Sequence, residues 1–475
     1  MNAPAPAPAA PFKQRVKDAL ANAPLQRSLN IFKTNFVALR AAAIADLPEF
    51  DAIRDEARAM KDHTLEHIDL YIEAYERKVI ESGGHVHFAP DGAAACAIIL
   101  DICQRHGART VTKGKSMASE EIHLGAFLEA HGIEPVETDL GEYIIQLRHE
   151  TPSHIVAPAI HVSKEQVADD FRRVHTQHAH DRDLTEPRTL LAEARGVLRE
   201  KFLAADVGIT GANMLVAETG SSIIVTNEGN GDLTQTLPRV HIVIASFEKI
   251  VPTLNDAAEV IRLLPRSANG QDTTVYTTIS TGPRRAEDPD GPDEYHVVLL
   301  DNGRSAMLAT DFREALRCIR CGACMNHCPV YQAVGGHAYD AVYPGPIGAV
   351  MSPMLQGLEK ARDLPNASTF CGRCESVCPM HIPLPKLMRH WREDEYSRHL
   401  TPKVQRWALR SWAFVARRPG LYRLATRMGM RLGGLFGGGG RFRTLPFGGD
   451  WSAWRDVPAP EGETFQSRWA RTRKR

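Results

Sequence analysis

The chain has 475 residues, 57 Lys and Arg against 57 Asp and Glu, 24% charged and 43% hydrophobic residues. This is the profile of a soluble globular protein of two or three domains. No run of about 18 or more apolar residues occurs, and MNAPAPAPAAP at the start lacks a basic segment before an apolar one, so neither a transmembrane span nor a secretory leader is expected.

In chain order, residues 1–11 read as a short disordered arm. Residues 13–80 read as helices, clearest in HTLEHIDLYIEAYERKVIESGG, which Gly83 and Gly84 stop; Pro48 marks a boundary. Between 85 and 310, short apolar runs follow helical stretches: ARTVTKG, EPVET, SHIVAPA, ANMLVAE, SSIIVTNE, HIVIASFE, TTVYTTIS and YHVVLLD. Runs rich in Val and Ile between turn residues predict a mixed or parallel sheet covered by helices, with a helix over 186–205 dividing it. Cys96 and Cys103 lie in an apolar helical segment and read as buried structural thiols. Residues 311–400 look helical. The last 75 residues, 401–475, carry 16 Lys and Arg against 4 Asp and Glu, with Trp407, Trp412 and Phe414 on a first helix and breaks at Pro419-Gly420 and Gly437–Gly440. That segment reads as a helix covering the cysteine-bearing module plus a flexible tail; the alternative is docking on an acidic partner or peripherally on a membrane surface. No nucleic-acid motif accompanies its charge. The fold class is therefore α/β: N-terminal arm and helices over 1–80, an α/β domain over 81–305, a mostly helical module over 306–400 and a basic C-terminal segment over 401–475.

Seven of the nine cysteines fall in two runs, Cys318-Ile-Arg-Cys321-Gly-Ala-Cys324-Met-Asn-His-Cys328-Pro329 and Cys371-Gly-Arg-Cys374-Glu-Ser-Val-Cys378-Pro379. The first is the C-x2-C-x2-C-x3-C-P pattern of two-cluster iron–sulfur proteins, in which the fourth cysteine ligates the other cluster. Cluster one is thus assigned Cys318, Cys321, Cys324 and Cys378, and cluster two Cys328, Cys371 and Cys374. Ser368 stands where the second run would have its first cysteine. A serine oxygen, a water or a missing iron are the options at that corner. The cofactors are read as two [4Fe-4S] clusters, the second with a non-cysteine or open fourth site. Zinc is disfavoured, because seven cysteines do not divide into two four-cysteine sites. N–H groups around Gly322, Ala323 and Gly372 can point at cluster sulfurs, whereas Arg320 and Arg373 read as solvated. Closely spaced thiols that serve as ligands indicate a reducing, cytoplasmic setting.

The α/β segment offers a candidate anion pocket: Lys113, Lys115, Ser116 and Glu120 after a predicted strand, with Thr219, Gly220 and Ser221 from an apparent strand–turn–strand edge continuing to Asn227-Glu228-Gly229-Asn230. Glu137, Asp139 and Glu142 form a further polar stretch. No Walker loop, flavin or nicotinamide fingerprint is present, and no catalytic set can be identified. His154 and His161 read as structural histidines.

Eight stretches carry a resemblance: KGKSMASEEIHL, ETDLGEYIIQL, PSHIVAPAIH, AETGSSIIVTNEGN, HVVLLDNGR, CIRCGACMNHCPVY, CGRCESVCPMHIP and WSAWRDVPAP. Over nearly its whole length the chain resembles the lactate utilisation protein B family, iron–sulfur proteins of bacterial L-lactate oxidation. The resemblance implies a lactate-utilisation (LUD-type) α/β domain followed by a ferredoxin-type [4Fe-4S] module. It also implies two partners, a cysteine-rich iron–sulfur oxidoreductase subunit and a smaller LUD-domain protein, with the acceptor unidentified. The expected role is an electron relay within an L-lactate-oxidising system, cytoplasmic or peripheral at the inner face of the membrane. The rival readings are a 2-hydroxy-acid oxidoreductase with the substrate in its own α/β pocket, a non-redox sugar-phosphate-binding enzyme, and a scaffold whose clusters are structural.

Overall fold

The computed structural model describes residues 10–436, 440–444 and 455–473. Most of the N-terminal arm, most of the Gly437–Gly440 break and the start of WSAWRDVPAP lie outside them. The chain forms two compact units, Met1–Glu393 and Asp394–Arg475.

The first unit is built on two sheets. Its strands are β1 (His85–Ala89), β2 (Thr110–Lys113), β3 (Glu134–Glu137), β4 (Val207–Thr210), β5 (Met214–Val216), β6 (Ser221–Thr226), β7 (Val240–Ser246), β8 (Ile250–Val251), β9 (Tyr276–Ser280) and β10 (Glu294–Leu300). Six form an all-parallel sheet in the order β1-β10-β7-β4-β2-β3. The remaining four form a mixed sheet, β8-β5-β6-β9. Alternation along β7 and β10 explains why both faces of the large sheet are covered. Ile242, Ile244, Val298 and Leu300 face Ile99 and Ile102 of the helix Gly92–Arg105. Val243, Tyr295, Val297 and Leu299 face Tyr75 and Val79 of the helix Ile68–Glu81. Cys96 and Cys103 are buried in the first of these layers.

Two local readings change. The helical stretch beginning at His63 is two helices, Phe50–Glu66 and Ile68–Glu81, separated at His67, whose φ of −118° and ψ of 34° are not helical. SHIVAPA is not a strand but a turn-rich loop, because the His154 ring accepts the N–H groups of Val156 and Ala157 at 3.0 Å and takes both out of any ladder. The strand–turn–strand edge is β5 and β6, paired antiparallel, and Asn230 then opens the helix Asn230–Thr236.

The N-terminal helices are part of the main core. Leu29, Phe32, Phe50, Ile53 and Ala57 are buried in one cluster with Met214 and Val216, with the helix Leu254–Ala268, and with the cysteine-bearing segment through Tyr331, Ile347 and Met380. Arg40 donates to the Val377 carbonyl at 2.8 Å, and Arg54 to the Cys378 carbonyl at 2.7 Å.

In the second unit, the helices Lys403–Ala416 and Pro419–Phe436 are followed by a short antiparallel pair, Arg441–Phe442 with Val457–Pro458, and the helix Phe465–Thr472. Trp407 and Trp412 are exposed on the first of these helices. Among the described residues no helix is long and apolar enough to cross a membrane.

Candidate metal centres

The two cysteine runs share a backbone plan. Arg320 and Phe370, each directly before a cysteine, hold φ of 62° and 54°. Gly322 and Gly372, each directly after it, hold φ of 76° and 79° and start the one-turn helices Ala323–Asn326 and Arg373–Ser376. Left-handed backbone on both sides of a cysteine curls the chain so that successive thiols converge; a non-glycine residue there is strained, and such strain collects at functional sites. Pro329 and Pro379 follow the last cysteine of each run.

Two small cavities result, and the cysteines are exchanged between them. Cys318, Cys321 and Cys324 line the first together with Cys378 from the second run. Cys328 from the first run lines the other, with Cys371, Cys374 and Ser368. The two spaces are small and of similar size. The walls are apolar: Ile155, Ile319, Ile347 and Ile382 around the first, Pro346, Phe370 and Met388 around the second.

The donor chemistry fits an iron–sulfur group. Burial pushes Cys321 and Cys374 up to about 12 and Cys378 up to about 11, so bare thiolates are disfavoured here and a bound metal group would be what holds them deprotonated. Cys371 is the exception: it is exposed, and the Arg373 N–H lowers its thiol. Backbone N–H groups also reach sulfur, from Arg320 to Cys318 Sγ at 3.4 Å and from Ile382 to Cys378 Sγ at 3.5 Å.

Arg320 is not solvated, in contrast to Arg373. Its guanidinium lies over the Tyr343 ring, 4.6 Å from the centroid, and its Nη2 donates to Glu248 at 3.3 Å. Glu248 also pairs with Arg304, which pairs with Glu121, and Glu121 accepts the Tyr343 hydroxyl. Burial works against the Glu248 charge, yet Arg304 and Arg320 hold its pKa at about 2.

A third and larger cavity lies at the C-terminal ends of β2, β4 and β7, where open α/β sheets bind ligands. Lys115 and Ser116 line it, as do Asp139, Asn213, Glu228, Asn230, Lys249 and, from the cysteine-bearing segment, Arg320 and Tyr343. Ile155 and Arg320 line both this cavity and the first cysteine cavity.

The structure does not bring the whole candidate anion set here. Lys113 ends β2 inside the protein, where its Nζ meets Ser119 at 3.0 Å, Glu120 at 2.9 Å and Glu137 at 2.7 Å. It is a consumed cation and not a free one, and Glu120 is its partner. Thr219 and Gly220 lie in the turn between β5 and β6, and Ser221 starts β6. Gly220 packs against the helix backbone at Lys78 and Val79, and Ser221 bonds Thr281 at 2.7 Å. Asn230, at the end of the 218–230 candidate stretch, does line the cavity, whereas Lys249 was missed as a site residue. The one signal for Lys249 is a charged Glu-Lys pair directly after the apolar run VHIVIASF.

Both histidines are satisfied. His154 Nε2 meets Asn326 at 2.9 Å, and burial lowers its pKa to about 3. His161 meets Ser153 at 2.8 Å and Glu150 at 2.7 Å, and groups with His337.

Comparison with known proteins gives three family matches in chain order: LUD domain over residues 72–300, 4Fe-4S dicluster domain over 314–382, and Lactate utilisation protein B, C-terminal, over 384–474. The Lactate utilization protein B of Bacillus licheniformis is 40% identical over 467 residues, covering 98% of this chain and 97% of that one. The chain belongs to the lactate utilisation protein B family. The family's Bacillus subtilis member is likewise 40% identical, over 96% of this chain and 95% of its own. A protein of Escherichia coli described as an uncharacterized electron transport protein, YkgF, is 42% identical over 96% of this chain and 95% of its own. A solved structure of a DUF162 family protein from Deinococcus radiodurans aligns with a TM-score of 0.27 at 12% identity, covering 49% of this chain and 98% of that one. The dicluster match spans both cysteine runs and therefore every cysteine that lines the two small cavities.

Proposed function

We propose that this chain is the iron–sulfur electron-relay subunit of a multi-subunit system that oxidises L-lactate to pyruvate. The exchange of cysteines between the two small cavities is the observation that carries the reading. Cys318, Cys321, Cys324 and Cys378 would hold one [4Fe-4S] cluster, and Cys328, Cys371 and Cys374 a second, with Ser368 at the fourth corner. Such groups, when bound, pass single electrons and so can divide the pair released by a 2-hydroxy acid. The chain's own contribution is positional. Because Cys328 and Cys378 each belong to one run and face the other cavity, the two centres sit at a separation fixed by the fold. Ile319, Ile347 and Ile382 keep water from the first centre. The Arg320 and Ile382 N–H groups favour negative sulfur there. Exposed Cys371 and the half-buried Ser368 leave the second centre nearer to solvent and to a docking partner. The partners of this reading are a cysteine-rich iron–sulfur oxidoreductase subunit and a smaller LUD-domain protein.

The test is anaerobic EPR with iron and sulfide quantification on the purified chain, with and without L-lactate and the two companions. Reduction by lactate in the assembled system is expected. An assembled system whose clusters stay oxidised under lactate while its turnover proceeds would overturn the relay.

A further inference from the structure

The large cavity contains polar groups that the protein itself leaves open. Arg320 is buried, with 8% of its surface exposed, and only its Nη2 is engaged; Nε and Nη1 have no hydrogen-bond partner among the described residues. Asn230 is equally buried, and its Oδ1 has no donor. Buried polar groups are nearly always paired, and an open N–H of a buried guanidinium is a charged donor suited to a carboxylate oxygen. Lys249 adds a second cation to the same lining. Lys115 is partly engaged, its Nζ donating to the Val156 carbonyl at 3.1 Å. Ile155, Ile224 and Leu264 supply an apolar wall. The lining thus offers Arg320 and Lys249 as cations, an open acceptor for a hydroxyl and an apolar surface, beside the carboxylates of Asp139 and Glu228, and it shares Ile155 and Arg320 with the first cysteine cavity.

We infer that this cavity is a binding site for a small 2-hydroxycarboxylate, its carboxylate held by Arg320 and Lys249 and its hydroxyl received by Asn230. The ligand then lies one side chain away from the first cysteine cavity. The choice of lactate as the 2-hydroxycarboxylate rests on the proposed function; the site itself rests on the open groups.

The experiment is anaerobic equilibrium dialysis of the holoprotein, iron and sulfide content verified, against L-lactate, propionate and inorganic phosphate. EPR of the reduced protein is recorded with and without each. L-lactate is expected to bind more tightly than propionate, which lacks the hydroxyl, and to change the EPR line shape. Lys249→Met should raise the Kd for both carboxylates by about tenfold or more. Asn230→Leu should raise it for lactate and not for propionate. Thr219→Ala, outside the cavity, should bind as the parent does. No lactate binding by fully loaded protein, a preference for phosphate, or unchanged affinity in both cavity variants would overturn the site. Binding is read on the isolated chain, whereas the relay is read on lactate-driven reduction in the assembled system, so each can fail without the other.

Discussion

Ser368 lines the second cysteine cavity three residues before Cys371, and its Oγ accepts the Phe370 N–H at 3.1 Å. It occupies the position that a cysteine holds in the first run, so Ser368→Cys would complete an all-thiolate set. The expected outcome is a centre that keeps its iron longer: after brief air exposure, the variant should show a smaller three-iron EPR signal than the parent. Equal signals would remove position 368 from the ligand set. At this scale the sequence is informative where chemistry is encoded by spacing. The exchange of Cys328 and Cys378 follows from a local motif and is seen in the lining of both cavities. Arg320 is different. Its burial depends on Glu248 and Tyr343, which lie in other segments, and nothing within the run itself announces that pairing. Lys113 fails as a free cation for the same reason, since Glu137 comes from the neighbouring strand.

Among the elements, β7 is buried along its whole length and carries one histidine. His241 meets Thr210 at 2.8 Å, and burial, with a smaller effect from His296, lowers its pKa from 6.5 to about 3. Between those values the unfolded chain binds the proton and the folded one does not. Stability from this group is therefore whole above pH 6.5 and declines as pH falls towards 3, by an amount on the order of a few kcal/mol. In thermal melts from pH 7 to pH 4, His241→Gln should show a shallower loss of Tm than the parent; parallel curves would mean His241 is not the titrating group. A second element test concerns the loop that walls both cavities. A Cβ on Gly336 would stand 1.8 Å from the Ser153 carbonyl, so Gly336→Ala must push the 153–157 loop away. A cost of about 1–3 kcal/mol is expected in chemical denaturation; an unchanged midpoint would show that the loop yields freely. Strands such as β7 and β10 were legible because unbroken Val and Ile runs have few other uses. By contrast, β1 is masked by two histidines, β4 by its glycine, and β8 by being two residues long. SHIVAPA has a strand's composition, yet a side chain competes for its N–H groups.

Across the molecule, the first unit has no separate core for its metal-binding part. Cys321, Cys328, Cys374 and Cys378 are members of the cluster that also holds Phe32 and Phe50. Removing iron and sulfide should then lower the Tm of the whole first unit and open the N-terminal helices to protease, with new cuts between residues 22 and 50. A holoprotein and an apoprotein with the same cleavage pattern would show that these helices are held without the clusters.

The contacts of Arg40 and Arg54 with the carbonyls of Val377 and Cys378 span 337 and 324 residues. During synthesis the N-terminal helices leave the ribosome long before those carbonyls exist. At about 5–20 residues per second, Arg40 and Arg54 wait many seconds for those partners. The last pieces to emerge from this unit are also the ones that close it. Maturation of the chain is thus ordered in time: the Arg40 and Arg54 contacts wait for the second cysteine run, the same segment that completes the ligand set.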